Sequence, residues 1–490
     1  MLERHPARTR ILATLGPASG SERRIEELVR AGVDAFRLNL SHGDPAERSR
    51  WVRRIRRVRR RLERPVAILA DLRGPRIRLG RLPEPRRLRR GERVELRPGR
   101  AAAGGALPVD YRGLLRDLCP GQRVLLRDGR VELKVLERGD RALRCRVVRG
   151  DTIDSHQGVN LPDSEIRAPV LSARDRRDLA WAAAAGVDWL ALSFVRRAAD
   201  LDLLRRAAAR AGLEAPVMAK IETPEALRHP EAIVAAADAV MVARGDLAVE
   251  LGHEAVPLVQ KDLIRICRDH AVPVVIATQM LESMVDSLQP TRAEVSDVAN
   301  AVLDGADAVM LSGETAVGVD PVRAARTMDR IVRRTEARLF RGRREPPPRP
   351  GRAALSSSPI EAATVHAAIA AAREAGARAI LAFTETGRTA RLASSFRSGR
   401  PLVGLTADER SFHRMALYWG VRPALIRRFR TVRQMHRHAA EALARASWLR
   451  PGDLVAALTG AFSRTGATNT LRLLRLDELA GAGGGQRREP

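Results

Sequence analysis

The chain has 490 residues, enough for two to four domains, and 45% of them are hydrophobic, so it can bury sizeable cores. It has no apolar run near the roughly 20 residues of a membrane-spanning helix, no signal peptide within Met1–Arg10, and three scattered cysteines, so we expect a cytoplasmic protein without a membrane partner. The net charge of +29 is spread along the chain and aromatic residues make up only 3%, which argues against nucleic acid as the primary partner.

Eight short apolar runs recur along the chain, separated by stretches of helical length. The runs are Arg10–Leu15, Ala35–Leu40, Val66–Leu72, Trp189–Val195, Pro216–Glu222, Ala239–Arg244, Pro273–Gln279 and Ala308–Ser312. Continuous apolarity is typical of strands that are buried on both faces. Spacers such as Ser21–Ala31, Ala173–Ala185 and Val256–His270 have the pattern of amphipathic helices. The α/β repeat therefore predicts a (β/α)₈ TIM barrel.

The alternation of apolar runs and helical spacers is interrupted after the third predicted strand, where residues 74–169 are rich in Gly, Pro and Arg. Arg127–Arg130 (Arg-Asp-Gly-Arg) predicts a hairpin turn, so we expect a small inserted β domain, β-barrel-like in character and suited to act as a lid. The predicted organisation is barrel 1–73, inserted lid 74–169, barrel 170–342, linker 343–353, C-terminal α/β regulatory domain 354–479 and disordered tail 480–490.

The C-terminal domain shows a second α/β pattern. A helical stretch, Ile360–Ala375, precedes four apolar runs that predict strands. These runs are Ala379–Phe383, Leu402–Leu405, Leu454–Leu458 and Thr470–Leu474.

Lysine is rare in this chain: only Lys134, Lys220 and Lys261 stand among 87 Lys and Arg residues. Lys is a compact point charge and Arg a planar fork, so the two are not interchangeable at a tight phosphoryl site. Lys134 and Lys261 lie in charged surroundings that are typical of a surface, whereas Lys220 ends an apolar run. Lys220 is therefore the lysine that we expect to be functional.

Polar side chains follow nearly every predicted barrel strand, at the end where such barrels carry their active sites. Lys220 and Glu222 lie two residues apart on one strand and share a face, and Asp246 follows the next strand. Two convergent carboxylates predict a site for Mg²⁺ or Mn²⁺ beside a phosphate substrate. Structural salt bridges in the barrel mouth are the alternative interpretation.

Several motifs resemble the pyruvate kinase family, in the family's order. They are Thr14–Ser19, Arg37–Gly43, Met241–Leu247, Ala277–Met284, Pro290–Asp304 and Leu311–Ala316. The resemblance covers essentially the whole chain. It implies a phosphotransferase that moves the phosphoryl group of phosphoenolpyruvate to ADP, giving pyruvate and ATP in glycolysis, and it implies a homotetramer.

The resemblance also implies roles for individual residues. Lys220 would be the transition-state cation, Thr278 would lie near the point of enolate protonation, and Arg37 would contact phosphate. The substrate positions are Arg37, Ser193, Ala243, Arg244, Gly245, Asp246 and Thr278. The nucleotide positions are Asn39, His42 and Arg78, and the Mg²⁺ positions are Glu222 and Asp246. Ser312 and Glu314 resemble members of a polar network behind the site.

The chain departs from the K⁺-dependent members of the family. The family's monovalent-cation positions correspond to Asn39, Ser41, Asp71 and the carbonyl of Leu72. At residues 71–76 the K⁺-dependent members resemble Asp-Thr-Lys-Gly-Pro-Glu, with a further Thr downstream. This chain has Leu72 and Leu79 at the two Thr positions and Arg76 at the Glu position. We therefore expect activity without K⁺, with the Arg76 guanidinium replacing the ion; a solvated surface Arg76 is the alternative.

Two further positions bear on ligands. Gln157 stands where the family often has a nucleotide-binding Lys, which leaves nucleotide preference open. A hydroxyl-rich loop resembles the family's allosteric loop for a phosphorylated effector, and an ordinary Ser/Thr-capped turn explains it equally well. Its residues are Thr384, Thr386, Gly387, Arg388 and Thr389, with Arg464 and Gly466 as closing residues from a neighbouring loop.

Two other functions compete with the kinase interpretation. Another metal-dependent enolate or pyruvate enzyme on the same barrel, such as an aldolase, would explain Lys220, Glu222 and Asp246 but neither the insertion nor the C-terminal domain. A basic nucleic-acid-binding protein would bind polynucleotides in a strongly salt-dependent way and would not need Lys220.

Overall fold

A computed structural model describes residues 7–101, 104–340, 351, 353–354, 358–446, 448–460 and 468–480. Most of the predicted linker, the predicted tail beyond residue 480, and Arg464 and Gly466 lie outside the described residues.

The eight predicted barrel runs each form a strand, and the eight strands close into a parallel barrel. The strands are β1 (Arg10–Thr14), β2 (Ala35–Asn39), β3 (Ala67–Leu72), β12 (Trp189–Leu192), β13 (Val217–Ile221), β14 (Ala239–Ala243), β15 (Val274–Ala277) and β16 (Ala308–Leu311). The ring closes where Ala13 pairs with Leu311 and Thr14 pairs with Arg37. The predicted TIM barrel is confirmed, and nearly every strand residue is buried, as continuous apolarity requires.

Helices surround the barrel. They are α1 (Glu22–Arg30), α2 (Pro45–Arg61), α4 (Ala173–Ala185), α5 (Ala198–Arg210), α6 (Pro230–Ala236), α7 (Arg244–Leu251), α8 (Val256–Asp269), α9 (Arg292–Asp304), α10 (Gly313–Ala316) and α11 (Pro321–Phe340). Their starts follow local chemistry: Ser172 and Asp175 form a capping box that begins α4, and Thr291 and Glu294 form another at α9. Among the described helices, none combines the length and apolarity needed to cross a bilayer.

An aspartate stands immediately before every second barrel strand and accepts a hydrogen bond from the backbone N–H of the preceding strand. These bonds run from Ile11 to Asp34 (2.9 Å), Ile68 to Asp188 (2.8 Å), Val217 to Asp238 (2.9 Å) and Val274 to Asp307 (2.8 Å). Each aspartate also pairs with an arginine: Arg10, Arg59, Arg205 and Arg397 in the same order. The amino-terminal face of the barrel is thus fastened strand to strand by charge-assisted hydrogen bonds.

The segment between β3 and β12 forms its own sheets. A six-stranded sheet has the order β11 (Val159–Asn160), β7 (Arg123–Leu126), β8 (Val131–Arg138), β9 (Leu143–Arg149), β5 (Arg93–Pro98) and β6 (Leu107–Val109). The strands β4 (Arg86–Arg87) and β10 (Thr152–Ile153) pair separately, and α3 (Leu114–Asp117) lies between β6 and β7.

The predicted hairpin turn joins β7 to β8. Its residues Arg127, Asp128 and Gly129 have φ angles of 51°, 52° and 80°. Consecutive positive φ angles are typical of the tight turns whose twist matches that of paired strands.

The C-terminal sheet has the order β19 (Val421–Leu425), β18 (Leu402–Thr406), β17 (Ala379–Phe383), β20 (Leu454–Gly460) and β21 (Thr468–Arg475). Its helices are α12 (Pro359–Glu374), α13 (Arg388–Ser395), α14 (Glu409–Arg414), α15 (Val432–Leu443) and α16 (Leu476–Ala480). The sequence analysis missed β19, because Arg422 and Pro423 interrupt its apolar pattern. An edge strand tolerates a proline, since one side of it needs no ladder hydrogen bond.

We expect Asp188→Ala to destabilise the barrel where the insertion interrupts it. The change leaves the buried Arg59 guanidinium without its carboxylate and the Ile68 N–H without its acceptor, and breaking a buried pair of this kind costs about 3 kcal/mol or more. Asp188→Asn is the matched variant, because its amide oxygen still accepts from Ile68; it should lose clearly less. Urea unfolding of both variants measures the difference, and equal stability of Asp188→Ala and the parent would contradict this account.

Candidate active site

The carboxyl ends of the barrel strands bring the predicted site residues to one mouth. Arg37, Asn39, Asp71, Leu72, Lys220 and Ala243 lie on strands, and Ser193, Glu222, Arg244, Thr278 and Ser312 lie just after strands. The closed ring is what makes them neighbours, since they come from seven different strands.

Lys220 is at the centre of this group and is buried. Its Nζ donates to Ser193 Oγ at 2.7 Å and lies 2.8 Å from Glu222 Oε1 and 3.3 Å from Asp71 Oδ2. Three oxygen partners from three strands fix the ammonium in position, as a group that neutralises developing charge requires.

The charges of this cluster balance one another. Burial by itself would lower the pKa of Lys220, but the carboxylates of Asp71 and Glu222 outweigh it, so the pKa of the ammonium lies above its ordinary value. Burial likewise opposes ionisation of Asp71, yet Lys220 and Arg37 hold its pKa below the ordinary value. Both side chains are therefore charged at neutral pH.

Glu222 and Asp246 are the candidate ligands of a divalent cation. Burial raises the pKa of Glu222, and although Lys220 lowers it, repulsion from the Asp246 carboxylate raises it again. A cation between the two carboxylates would relieve this repulsion, so the donor set fits a hard divalent ion. Within the described ranges, no group of three or more His, Cys, Asp or Glu side chains is arranged to hold a metal ion. Substrate oxygens would therefore have to complete the coordination.

The loop after β15 carries backbone strain next to Thr278. Thr278 and Gln279 have φ angles of 68° and 54°, which a β-branched residue rarely adopts. The Thr278 Oγ accepts from the Gly245 N–H at 2.7 Å, so the hydroxyl lies against the first turn of α7. This places the predicted carboxylate-binding backbone and the predicted protonation residue side by side.

Arg244 holds that loop in its strained form. Its buried guanidinium donates to the carbonyl oxygens of Thr278 and Gln279 at 2.7 and 3.1 Å and pairs with Asp297 at 2.7 Å. The side chain of Arg244 thus points under the loop, and only its backbone belongs to the substrate side.

Glu314 braces the same region from behind. Its carboxylate accepts from the backbone N–H groups of Leu281 at 3.0 Å and Ser312 at 2.6 Å. The predicted polar network behind the site therefore connects the loops that follow β15 and β16.

Three of the four predicted monovalent-cation positions already have partners within the chain. Asp71 pairs with Arg37 at 2.7 Å, the Asn39 side-chain oxygen accepts from the Ser41 N–H at 3.1 Å, and the Leu72 carbonyl accepts from Ser193 at 2.8 Å. Arg76 Nη2 lies 3.8 Å from Asp246 Oδ1, beside the divalent-cation position.

The predicted nucleotide side is strongly basic. Burial lowers the pKa of His42, and repulsion from Arg78, Arg37 and other arginines lowers it further, so the imidazole is neutral at pH 7. The sequence analysis missed Arg73 and Arg174, which face the same cluster and repel one another. No sequence signal could have marked them, because arginine is too common in this chain. Like charges held this close favour an anion between them.

Gln157 lies at the edge of this basic cluster. Its backbone carbonyl accepts from the Leu79 N–H at 2.9 Å, so the residue joins the base of the inserted domain.

The predicted effector residues lie in the C-terminal domain, where Thr384, Thr386 and Gly387 form the loop after β17 and Arg388 and Thr389 begin α13. The Gly387 N–H donates to Thr384 Oγ at 3.0 Å, Arg388 pairs with Glu361 at 3.0 Å, and Thr389 shares a buried hydrogen bond with Thr468 at 2.6 Å. Thr386 is exposed.

Comparison with known protein families decides the relationship. The barrel-domain family of pyruvate kinase matches residues 6–325, and the pyruvate kinase alpha/beta domain matches residues 362–474. The chain belongs to the pyruvate kinase family. Pyruvate kinases from Agrobacterium vitis and Mycobacterium tuberculosis are 41% and 42% identical to it, over 97% and 96% of this chain and 98% and 99% of theirs. The crystal structure of a pyruvate kinase from Cryptosporidium parvum superposes with a TM-score of 0.87 at 32% identity, covering 96% of each chain. Pyruvate kinases are phosphotransferases, and so is this protein.

For this pyruvate kinase family member, we expect Lys220→Gln to lower kcat about 10²- to 10³-fold, the loss that follows removal of one group aimed at developing charge. Lys261→Gln is the matched control, because Lys261 is an exposed lysine paired with Asp304. Steady-state kinetics and thermal unfolding of both variants separate a catalytic loss from a folding defect. A folded Lys220→Gln variant with the parent's kcat would remove Lys220 from the chemistry.

Proposed function

We propose that this protein transfers the phosphoryl group of phosphoenolpyruvate to ADP and releases pyruvate and ATP, as a step of glycolysis in the cytoplasm. The observation that supports it best is the buried Lys220 ammonium between Asp71 and Glu222, at a barrel mouth that also carries a basic cluster and an inserted domain. Loss of the phosphoryl group needs a fixed cation at the transferring oxygens and a second anion site for the nucleotide.

The residues divide the reaction among them. The bond between phosphorus and the enol oxygen breaks while a β-phosphate oxygen of ADP bonds to phosphorus. Lys220 and Arg37 neutralise the charge on the transferring group, and Ser193 orients Lys220. The backbone at Ala243–Gly245 and the hydroxyl of Thr278 hold the substrate carboxylate, and the enolate takes a proton at carbon next to Thr278. Asn39, His42 and Arg78 bind the nucleotide. Arg73 and Arg174 add positive charge, which compensates for the lysine that the family often has where this chain has Gln157.

Glu222 and Asp246 would hold Mg²⁺ or Mn²⁺. When bound, the ion neutralises phosphoryl and enolate oxygens. We expect Glu222→Gln to weaken Mn²⁺ binding at least about tenfold, because one of two ligand charges is lost. Titration of the folded protein with Mn²⁺, followed by electron paramagnetic resonance of the free ion, measures this without turnover. Exposed Glu254→Gln is the control, and equal affinities of the two variants would argue against this metal site.

The chain's own cations support activity without K⁺. Asp71, the Asn39 side-chain oxygen and the Leu72 carbonyl each have a donor or cation from the chain, and Arg76 adds a guanidinium beside Asp246. Two leucines, Leu72 and Leu79, stand where the K⁺-dependent members have hydroxyls. The Arg76 guanidinium, which is part of the chain, thus supplies the positive charge that K⁺ supplies in the K⁺-dependent members.

The deciding assay is pyruvate formation from phosphoenolpyruvate and ADP with Mg²⁺, run in K⁺ and in a Na⁺-only buffer. We expect ADP-dependent turnover that differs less than about twofold between the buffers, because a fixed guanidinium needs no bound ion. Turnover in K⁺ alone would keep the kinase and discard the role of Arg76. Absence of turnover in both buffers, with folded protein, would overturn the proposed reaction.

Two surfaces support a homotetramer. One is β21, an edge strand whose Leu473 is 43% exposed. The other consists of exposed apolar side chains near the carboxyl ends of α9 and α10, where Leu303 and Val317 are 50% and 60% exposed. The exposed Thr386 and the half-exposed Arg388 support a phosphorylated allosteric effector at the loop between β17 and α13.

A further inference from the structure

One face of α7 lies against the inserted domain. Asp246, Val249 and Glu250 occupy positions i, i+3 and i+4 of this helix and therefore share a face. Asp246 lies 3.8 Å from Arg76 at the base of the insertion. A methyl group added at Gly129, in the turn between β7 and β8, would lie 3.7 Å from Val249 Cγ1, so this turn reaches the helix. Two separate parts of the insertion thus lie against one face of this helix.

The third contact is the closest. The side-chain amide of Asn160, on β11, donates to Glu250 Oε1 at 2.7 Å. Ninety residues separate the two, one in the inserted sheet and the other on the barrel. Glu250 is 8% exposed, and burial raises its pKa to about 7, against the opposing effect of the Asn160 hydrogen bond. A carboxyl that is buried this deeply needs its hydrogen-bond partner, and moving the inserted domain away would expose it to water.

We propose that the Asn160–Glu250 hydrogen bond is a latch that holds the inserted domain closed on the barrel, and that Glu250 is a positioning residue for phosphoryl transfer. The first turn of α7 carries Gly245 and Asp246, so the helix that receives the lid also forms part of the substrate end. Closure and ordering of that end therefore share one short rigid element. This inference rests on the proposed function for its kinetic consequence and on geometry alone for the latch.

The latch is tested first by distance, without turnover. Cys119 is an exposed thiol on the inserted domain, whereas Cys145 and Cys267 are buried and burial raises the pKa of both thiols. Spin labels on Cys119 and on an introduced cysteine at exposed Asp262 of α8 report the separation of lid and barrel by double electron–electron resonance. Asn160→Ala and Glu250→Ala should each shift the distribution to longer distances. Glu250→Gln should keep the parent's distribution, because its amide oxygen still accepts from Asn160.

The kinetic test uses the same variants. Asn160→Ala and Glu250→Ala should each raise KM for ADP about tenfold, which is the change expected from one lost hydrogen bond to a buried group. Glu250→Gln should keep the parent's KM for ADP. The double variant should be no worse than either single one. Glu137→Ala is the control, because it removes an exposed carboxylate that pairs with Arg144 within the inserted sheet.

The outcomes separate the two proposals. Unchanged label distances in Asn160→Ala and Glu250→Ala overturn the latch, whatever the activity. Shifted distances in the variants, together with a folded parent protein that makes no pyruvate, keep the latch and overturn the reaction. Additive losses in the double variant would also overturn the latch, since they would show that the two side chains act independently.

Discussion

Four aspartates at the amino-terminal face of the barrel form hydrogen bonds that help to set the distances between the side chains at the opposite mouth. Asp34, Asp188, Asp238 and Asp307 each fasten a strand to the one before it, and each holds an arginine. The functional side chains come from seven strands, so their separations follow from how the ring is closed at the opposite end. Asp188 connects β3 to β12, the two neighbouring strands that the insertion separates in sequence. This is the place where the barrel has the longest loop to close.

At the other end of the barrel the same closure concentrates charge. Asp71 and Glu222 flank Lys220, Asp246 repels Glu222, and arginines converge on the predicted nucleotide side. Such clusters cost free energy when they are empty or unbalanced. Lys220 offsets the repulsion of the carboxylates, and anionic phosphates would offset that of the arginines. The arrangement thus favours a ligand that brings a divalent cation and several phosphoryl oxygens together.

The helix α7 links this charged site to the inserted domain. Its first turn carries Gly245 and Asp246 of the proposed substrate site, its buried Arg244 holds the strained loop at Thr278, and its last turn meets Asn160. A helix of eight residues is too short to bend between these contacts. In the proposed reaction, movement of the inserted domain is therefore transmitted through α7 to the residues proposed to bind the substrate.

The barrel could be predicted from the amino-acid sequence, because a continuous apolar run is a local property that can be recognised without knowing its neighbours in space. It also singled out Lys220 as a candidate, since a lysine retained in an arginine-rich chain carries information that no single arginine can. For the same reason it could not mark Arg73 or Arg174, and an edge strand containing Arg422 and Pro423 escaped the apolar pattern. Two contacts could be seen only in the folded chain: the Arg244 side chain turns beneath the Thr278 loop, and Asn160 meets Glu250. Contacts between residues this distant in sequence exist only after the ring has closed and the insertion has folded back, and no local pattern encodes them.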